Sequence, residues 1–172
     1  MLSGSEIIKQ VEMGNINITP FKKENINPNS YNVTIGKEIF RYNHYNLDSK
    51  KEQTLETIEI PEQGYTLKPG VIYLMPTEEI VGSKKFIPVL MGRSSYGRLG
   101  LNIICNAGLG DVGFEGKYTL QLSVVQPLTI YANTQVAQLC FFSLIGDNEM
   151  LYNSKYQGAK GVMKSMAYKD FK

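Results

Sequence analysis

GRSSYGRLGLNIICNAGLGDVGFEGKYTLQ, residues 92–121, is the stretch around which the rest of the 172-residue chain is organised. It opens with two arginines and two serines threaded between glycines. It passes through a glycine-rich turn with one aspartate and runs out as a strand of alternating polarity. Arg93 and Arg98 supply cationic forks that suit phosphate oxygens. Ser94 and Ser95 supply hydroxyls at the predicted start of a short helical turn, where free backbone N–H groups also point at anions. Gly92, Gly97 and Gly100 allow the backbone to come close to a ligand. Asp111 is placed to activate a water or to help hold a metal. Neither G-x-x-x-x-G-K nor G-x-G-x-x-G occurs, so the pattern is neither a Walker A loop nor a dinucleotide fingerprint.

Outward from this stretch, the chain reads as short strands. Tyr31, Val33 and Ile35 alternate with polar neighbours, and strands are predicted at Glu38–Tyr42, Leu55–Ile60, Tyr65–Leu67, Val71–Met75 and Phe86–Met91. Pro88 marks the last of these as an edge or a bulge. Beyond the central stretch, Tyr118–Val125, Leu128–Tyr131 and Gln135–Leu144 continue the pattern. Leu2–Gly14 is predicted as a short amphipathic helix, with Ser3 and Glu6 as a capping box, Leu2 and Ile7 as a staple and Gly14 as the stop. Asn15–Asn29 reads as polar connection, broken by Pro20 and Pro28, and Asn43–Gln53 as an exposed loop. The expectation is an all-β sandwich or barrel with one small helix. Residues 1–172 read as one domain, of which 146–172 form a lysine-, glycine- and tyrosine-rich tail. That tail is either a solvated end or a lid closing over an anionic ligand.

Composition narrows the function. A formal net charge of +2 leaves no broad basic field, so nucleic acid is not an expected partner. No apolar run reaches the ~20 residues of a membrane span, and the start lacks a basic region followed by an apolar run, so the expected compartment is the cytoplasm. Cys105 and Cys140 both fall in apolar runs and read as buried free thiols. The single histidine, His44, lies in a polar loop, which sets aside a Ser-His-Asp triad. Zinc deamination needs a His or Cys with a C-x-x-C pair, and the chain has two isolated cysteines. What remains is attack of water on a nucleotide phosphate, with Mg²⁺ held mainly by the substrate's own phosphates and no direct protein metal site.

Gly92–Leu101 resembles the G-R-S-S-x-[GA]-R-L-G-L signature of dCTP deaminases. Ala107–Gly116 resembles the A-G-x-x-D-x-G-[FW]-x-G that follows it there and in trimeric dUTPases. Asn27–Asn32, Lys68-Pro69-Gly70, Gln138–Phe142 and Lys155–Gly158 match in place and in order, so the resemblance spans nearly the whole chain. It implies a mainly β, distorted jelly-roll-like barrel of dUTPase type with a short N-terminal helix and a C-terminal lid. It also implies a homotrimer with sites at subunit interfaces, acting on dUTP or dCTP with Mg²⁺ on the triphosphate. The residues it assigns to the nucleotide are Arg93, Ser94, Ser95 and Arg98 near the phosphates and base, and Asn106, Ala107 and Gly108 beside the pyrimidine. Asp111 and Phe114 are assigned to the sugar, with Lys155, Tyr156 and Gln157 in the closing tail.

One departure bears on the chemistry. Where dCTP deaminases carry T-L-E, with the glutamate as the general base, this chain has Thr119-Leu120-Gln121. Glutamine hydrogen-bonds but has no useful basicity, and loss of a general base costs about 10²–10⁴-fold. Glu115 lies six residues away, about 20 Å along a regular strand, and is a poor substitute. The main expectation is therefore Mg²⁺-dependent hydrolysis of dUTP to dUMP and pyrophosphate, with Asp111 and Arg98 at the chemistry. The alternatives are a dCTP deaminase, alone or carrying on to dUMP, impaired by a native or introduced Gln121, and a non-catalytic nucleotide-binding protein on the same scaffold.

Overall fold

The computed structural model describes residues 1–103 and 107–171; Cys105 and Asn106 of the sequence reading lie outside that set. Helix α1 (Gly4–Glu12) leads into β1 (Ile16–Thr19), a 3₁₀ turn at Lys23–Asn25 and β2 (Ile26–Asn27). Next come β3 (Ser30–Thr34), β4 (Glu38–Tyr42), β5 (Leu55–Glu59), β6 (Tyr65–Leu67), β7 (Tyr73–Ser83) and β8 (Phe86–Gly92). The helical turn α2 (Ser94–Gly97) precedes β9 (Leu101–Ile103), β10 (Glu115–Val124), β11 (Leu128–Ile130) and β12 (Gln135–Ser143). A 3₁₀ turn at Ala167–Phe171 ends the described chain.

The strands form a six-stranded sheet ordered β5-β4-β7-β10-β9, in which β1 also pairs β7, a four-stranded sheet ordered β2-β3-β12-β8, and the pair β11-β6. All named pairings are antiparallel. This is the mainly β, jelly-roll-like architecture. Its core lies between the sheets, where Tyr73, Met75, Leu120 and Leu122 of one meet Tyr31, Val33, Leu139 and Phe141 of the other, all buried. Full burial of such side chains stabilises by roughly 1.5–3 kcal/mol each.

Helix α1 begins as its sequence dictates. Ser3 is the N-cap, and its Oγ accepts the Glu6 N–H at 3.3 Å. The reciprocal half of the capping box is replaced, because Glu6 Oε1 accepts from Gln10 Nε2 at 2.6 Å. Leu2 and Ile7 are buried together, and Gly14, at φ +74°, takes the left-handed conformation that ends the helix.

β7 is the central strand and departs most from the reading. It continues through Pro76, Glu78, Glu79 and Gly82, residues that argue against a strand interior, and pairs β10 along nearly its whole length. The register slips between Lys117↔Ile80 and Thr119↔Pro76, so β7 carries two extra residues there. The slip is held by side chains. Tyr118 N–H donates to Thr77 Oγ1 at 3.0 Å, Thr77 Oγ1 donates to the Glu79 carbonyl at 2.8 Å, and the buried Glu79 carboxylate accepts the Thr34 N–H at 2.9 Å. β1, at four residues, lies in a stretch read as connection, and β9, at three, in the central stretch ahead of Asp111, where no strand was predicted. β1 shows only Ile16 and Ile18 as buried alternates. Among the described residues β8 pairs one named strand, β12, and on its other side carries the isolated bridge Val89↔Leu109, beside which the Pro88 carbonyl accepts the Gly110 N–H; Pro88 thus stands at the margin of its sheet.

Candidate active site

β10 presents Lys117, Thr119 and Gln121 along one wall of a cavity of about 400 Å³. Period two on a strand puts these three on a common face. Ala107 and Phe114 line the same cavity from the turn before β10, Tyr118 of β10 borders it behind Phe114, and Tyr42 of β4, Ile72 just before β7 and Leu74 of β7 line it as well. The tail closes it with Tyr156, Ala159, Met163 and Ser165. The one charged residue among these is Lys117, whose Nζ lies 3.9 Å from Glu78 Oε2. The wall holds no carboxylate, and the Gln121 amide makes no hydrogen bond among the described residues. Glu115 is exposed and lies outside the cavity.

Asp111 occupies a neighbouring hollow with Ile87, Leu109, Leu144, Met150 and Tyr152. A lining residue of one hollow, Phe114, packs against a lining residue of the other, Tyr152, with 5.8 Å between ring centroids. The turn that carries Asp111 is pinned by backbone bonds: Gly110 N–H to the Pro88 carbonyl at 2.7 Å, Gly113 N–H to Ser83 at 2.7 Å and Phe114 N–H to Asp111 at 3.2 Å. Gly110 has no room for a side chain. A Cβ there would stand 2.2 Å from the Tyr118 hydroxyl and 2.7 Å from Pro88 Cγ. That hydroxyl is buried and has no hydrogen-bond partner among the described residues. Burial pushes its pKa well up, and the Asp111 charge adds to the effect.

The arginine–serine segment forms the predicted helical turn, α2, with Gly97 N–H donating to the Arg93 carbonyl at 3.0 Å and Arg98 N–H to that of Ser94 at 3.1 Å. Ser94, Ser95 and Arg98 are exposed, and neither they nor Arg93 lines the cavity. Arg93 Nη1 donates to the Gln135 carbonyl at 2.9 Å, which fastens the start of β12. Around the Asp111 hollow, Leu109, Leu144, Met150 and Leu151 stand exposed, as does the adjoining Ile145.

The tail docks on the turn and on the start of β10. Tyr152 N–H donates to the Val112 carbonyl at 2.8 Å, Gly158 N–H to Glu115 at 3.0 Å, and Lys117 N–H to Ala159 at 2.8 Å. Gln157 is used in docking: its Oε1 accepts the Glu115 N–H at 2.9 Å and its Nε2 donates to Gly113 at 2.8 Å. Lys155 pairs with Asp170. Further along, Met163 N–H donates to Thr119 Oγ1 at 2.9 Å and Ser165 N–H to the Tyr42 hydroxyl at 3.1 Å.

The structure thus brings Ala107, Phe114, Gln121 and Tyr156 to one cavity, puts Asp111 beside it and leaves Ser94, Ser95 and Arg98 away from it. Gly108 lies behind the wall, its carbonyl accepting the Leu90 N–H at 2.7 Å. Asn106 lies outside the described residues. The sequence reading did not assign Lys117 or Thr119 to the site, although their parity with Gln121 on one strand is a legible signal. It also missed Tyr42 and Met163, which lie far from the motif in sequence. His44 is exposed in its loop, and Cys140 is a buried free thiol whose pKa burial raises. Among the described residues no group of three or more His, Cys, Asp or Glu could hold a metal ion, and no helix is long and apolar enough to cross a membrane.

Comparison with known proteins follows the same outline. Residues 1–144 match the family model described as dCTP deaminase-like. A protein of Clostridium botulinum (strain Eklund 17B / Type B), named dCTP deaminase, dUMP-forming, is 44% identical over 171 residues, covering 99% of this chain and 98% of that one. One of the same name from Leptospira biflexa is 39% identical over equal coverage. Among solved structures, the 2′-deoxycytidine 5′-triphosphate deaminase of Agrobacterium tumefaciens superposes with a TM-score of 0.63 at 18% identity, over 81% of this chain and 47% of that one; this similarity concerns the fold.

Proposed function

The chain belongs to the dCTP deaminase-like family, and from that membership we propose that it converts dCTP to dUMP. Two hydrolytic steps make up this conversion. Water adds at C4 of the cytosine and ammonia leaves; water attacks the α-phosphorus and pyrophosphate leaves. The observation that carries the reading is the meeting of Ala107, Phe114 and Gln121 in one tail-covered cavity. Its volume falls within the usual range for small-molecule sites.

In this reading the backbone about Ala107 and the Gln121 amide hold the pyrimidine, which complements either amide face of the base. Phe114 walls the sugar, and the tail excludes water from the triphosphate. Asp111 supplies the carboxylate for attack on the phosphate, reaching the substrate from the hollow beside the cavity. Arg98, Ser94 and Ser95 serve the phosphates of a neighbouring copy's site, because they lie off their own chain's cavity. The apolar residues exposed around Asp111 favour assembly with such copies, and a trimer closes the arrangement. The donor set fits Mg²⁺ arriving on the substrate, since one carboxylate with the triphosphate oxygens suffices. There the ion would neutralise phosphate charge.

Gln121 favours a second reading, hydrolysis of dUTP to dUMP alone. No carboxylate lines the cavity to activate water at C4, whereas pyrophosphate release calls only on Asp111. The test is a product assay on the purified chain with Mg²⁺ and either nucleotide, separated by anion exchange. dUMP from dCTP supports the first reading. dUMP from dUTP with dCTP untouched replaces it with the second. Binding without any product overturns both.

A further inference from the structure

Phe114 is held edge-on by two tyrosines from distant parts of the chain. Tyr118 of β10 meets it with ring centroids 5.2 Å apart and planes at 82°, and Tyr152 of the tail with 5.8 Å and 71°. Such contacts fix a ring's orientation, because the positive edge of one ring sits against the negative face of the other.

Neither tyrosine is loosely held. The Tyr118 backbone is tied to Thr77, and its ring tip packs against Gly110. The Tyr152 N–H is tied to Val112, and its hydroxyl accepts the Tyr156 N–H at 3.1 Å. The tail lies so close to the turn that a Cβ on Gly113 would stand 2.7 Å from Leu151 Cβ. A Cβ on Gly116 would stand 2.8 Å from the Ala159 nitrogen and 3.1 Å from the tip of the Phe114 ring.

We propose that Tyr118 and Tyr152 are positioning residues for Phe114, so that selection of a 2′-deoxy sugar is set when the tail docks. This rests on the reading of Phe114 as the wall of the sugar subsite. A ring held on two sides cannot swing aside for a 2′-hydroxyl, whereas a ring held on one side can. The tail therefore contributes selectivity as well as cover, and it does so without Tyr152 lining the cavity.

The test is equilibrium binding of α,β-imido-dUTP and α,β-imido-UTP to the full chain with Mg²⁺, read as the ratio of the two affinities. Binding of these non-hydrolysable analogues needs no turnover, so the outcome does not depend on which reaction the site performs. Tyr118→Leu and Tyr152→Leu are each expected to lower the deoxy preference about tenfold, the lower end of what one contact in a pocket discriminates. Tyr118→Phe, which keeps the ring, is expected to restore it. Because Tyr152 lies in the tail, its variant leaves the β core intact and keeps the test decisive if Tyr118→Leu fails to fold. If Phe114→Leu abolishes the preference while both tyrosine variants retain it, the proposal is overturned and the sugar-subsite reading stands. If Phe114→Leu retains the preference, both fall.

Discussion

Gln121 is one atom type away from a carboxylate, and that difference separates binding a pyrimidine from activating water beside it. Gln121→Glu places a base on the cavity wall where Lys117, four residues along β10, is the one charge. It is expected to raise dCTP turnover by about 10²–10⁴-fold, measured as ammonia release. Asp111→Asn is expected to lower pyrophosphate release from dUTP by a similar factor, and unchanged release would remove Asp111 from the mechanism. A third substitution concerns stability. The Tyr118 hydroxyl is buried without a partner among the described residues, an arrangement that costs about 1–3 kcal/mol. Tyr118→Phe is therefore expected to raise the melting temperature, at about 2–4 °C per kcal/mol for a chain of this size. At this scale Ala107, Phe114, Gln121 and Tyr156 were legible as residues of one cavity because the family's motifs mark their positions. Tyr42 and Met163 were not, because nothing local in the sequence says that β4 and the tail converge on β10.

At the scale of elements, alternating apolar residues located most of the strands. They failed at β7, where tertiary packing overrides propensity: Glu79 sits in a strand interior, buried, with its carboxylate on the Thr34 N–H. Burial pushes the Glu79 pKa up, the Thr34 N–H opposes this in part, and the neighbouring Glu78 charge adds to the rise. A carboxyl whose pKa is raised on folding binds its proton more tightly in the folded state. Its contribution to stability is thus complete below the unfolded carboxylate pKa and is lost as pH rises through the folded value. Glu79→Gln can still accept from Thr34 and no longer ionises. It is expected to melt higher than the parent at pH 7 and to flatten the pH dependence above the carboxylate range, as thermal melts across pH would record. β1 escaped the reading for a simpler reason: four residues give too few alternations to stand out from polar connection.

For the whole molecule, an all-β sandwich or barrel was legible from many short strands at close spacing, with no helix long enough to cover a parallel sheet, and its jelly-roll-like form from the family resemblance. The relation between the Arg–Ser segment and the cavity was not, because a linear motif does not say which of its parts serve the same site. If copies assemble across the apolar face around Asp111, charging that face with Ile145→Lys and Met150→Lys is expected to yield a monomer in sedimentation velocity that has lost turnover. A fully assembled double variant would place the interface elsewhere.

The tail's hydrogen bonds to Glu115 and Lys117 have a further consequence. Among the described residues, no strand pairs β10 at Glu115–Lys117 on the side away from β7, and the pairing with β9 covers Leu122–Val124. The tail takes up backbone groups there, Gly158 N–H donating to the Glu115 carbonyl and Lys117 N–H to that of Ala159. If it lifts to admit a nucleotide, a short open sheet margin is bared, a template for strand addition by another chain. A bound nucleotide that keeps the tail down would thus also act as a protectant against aggregation, most needed when substrate is scarce.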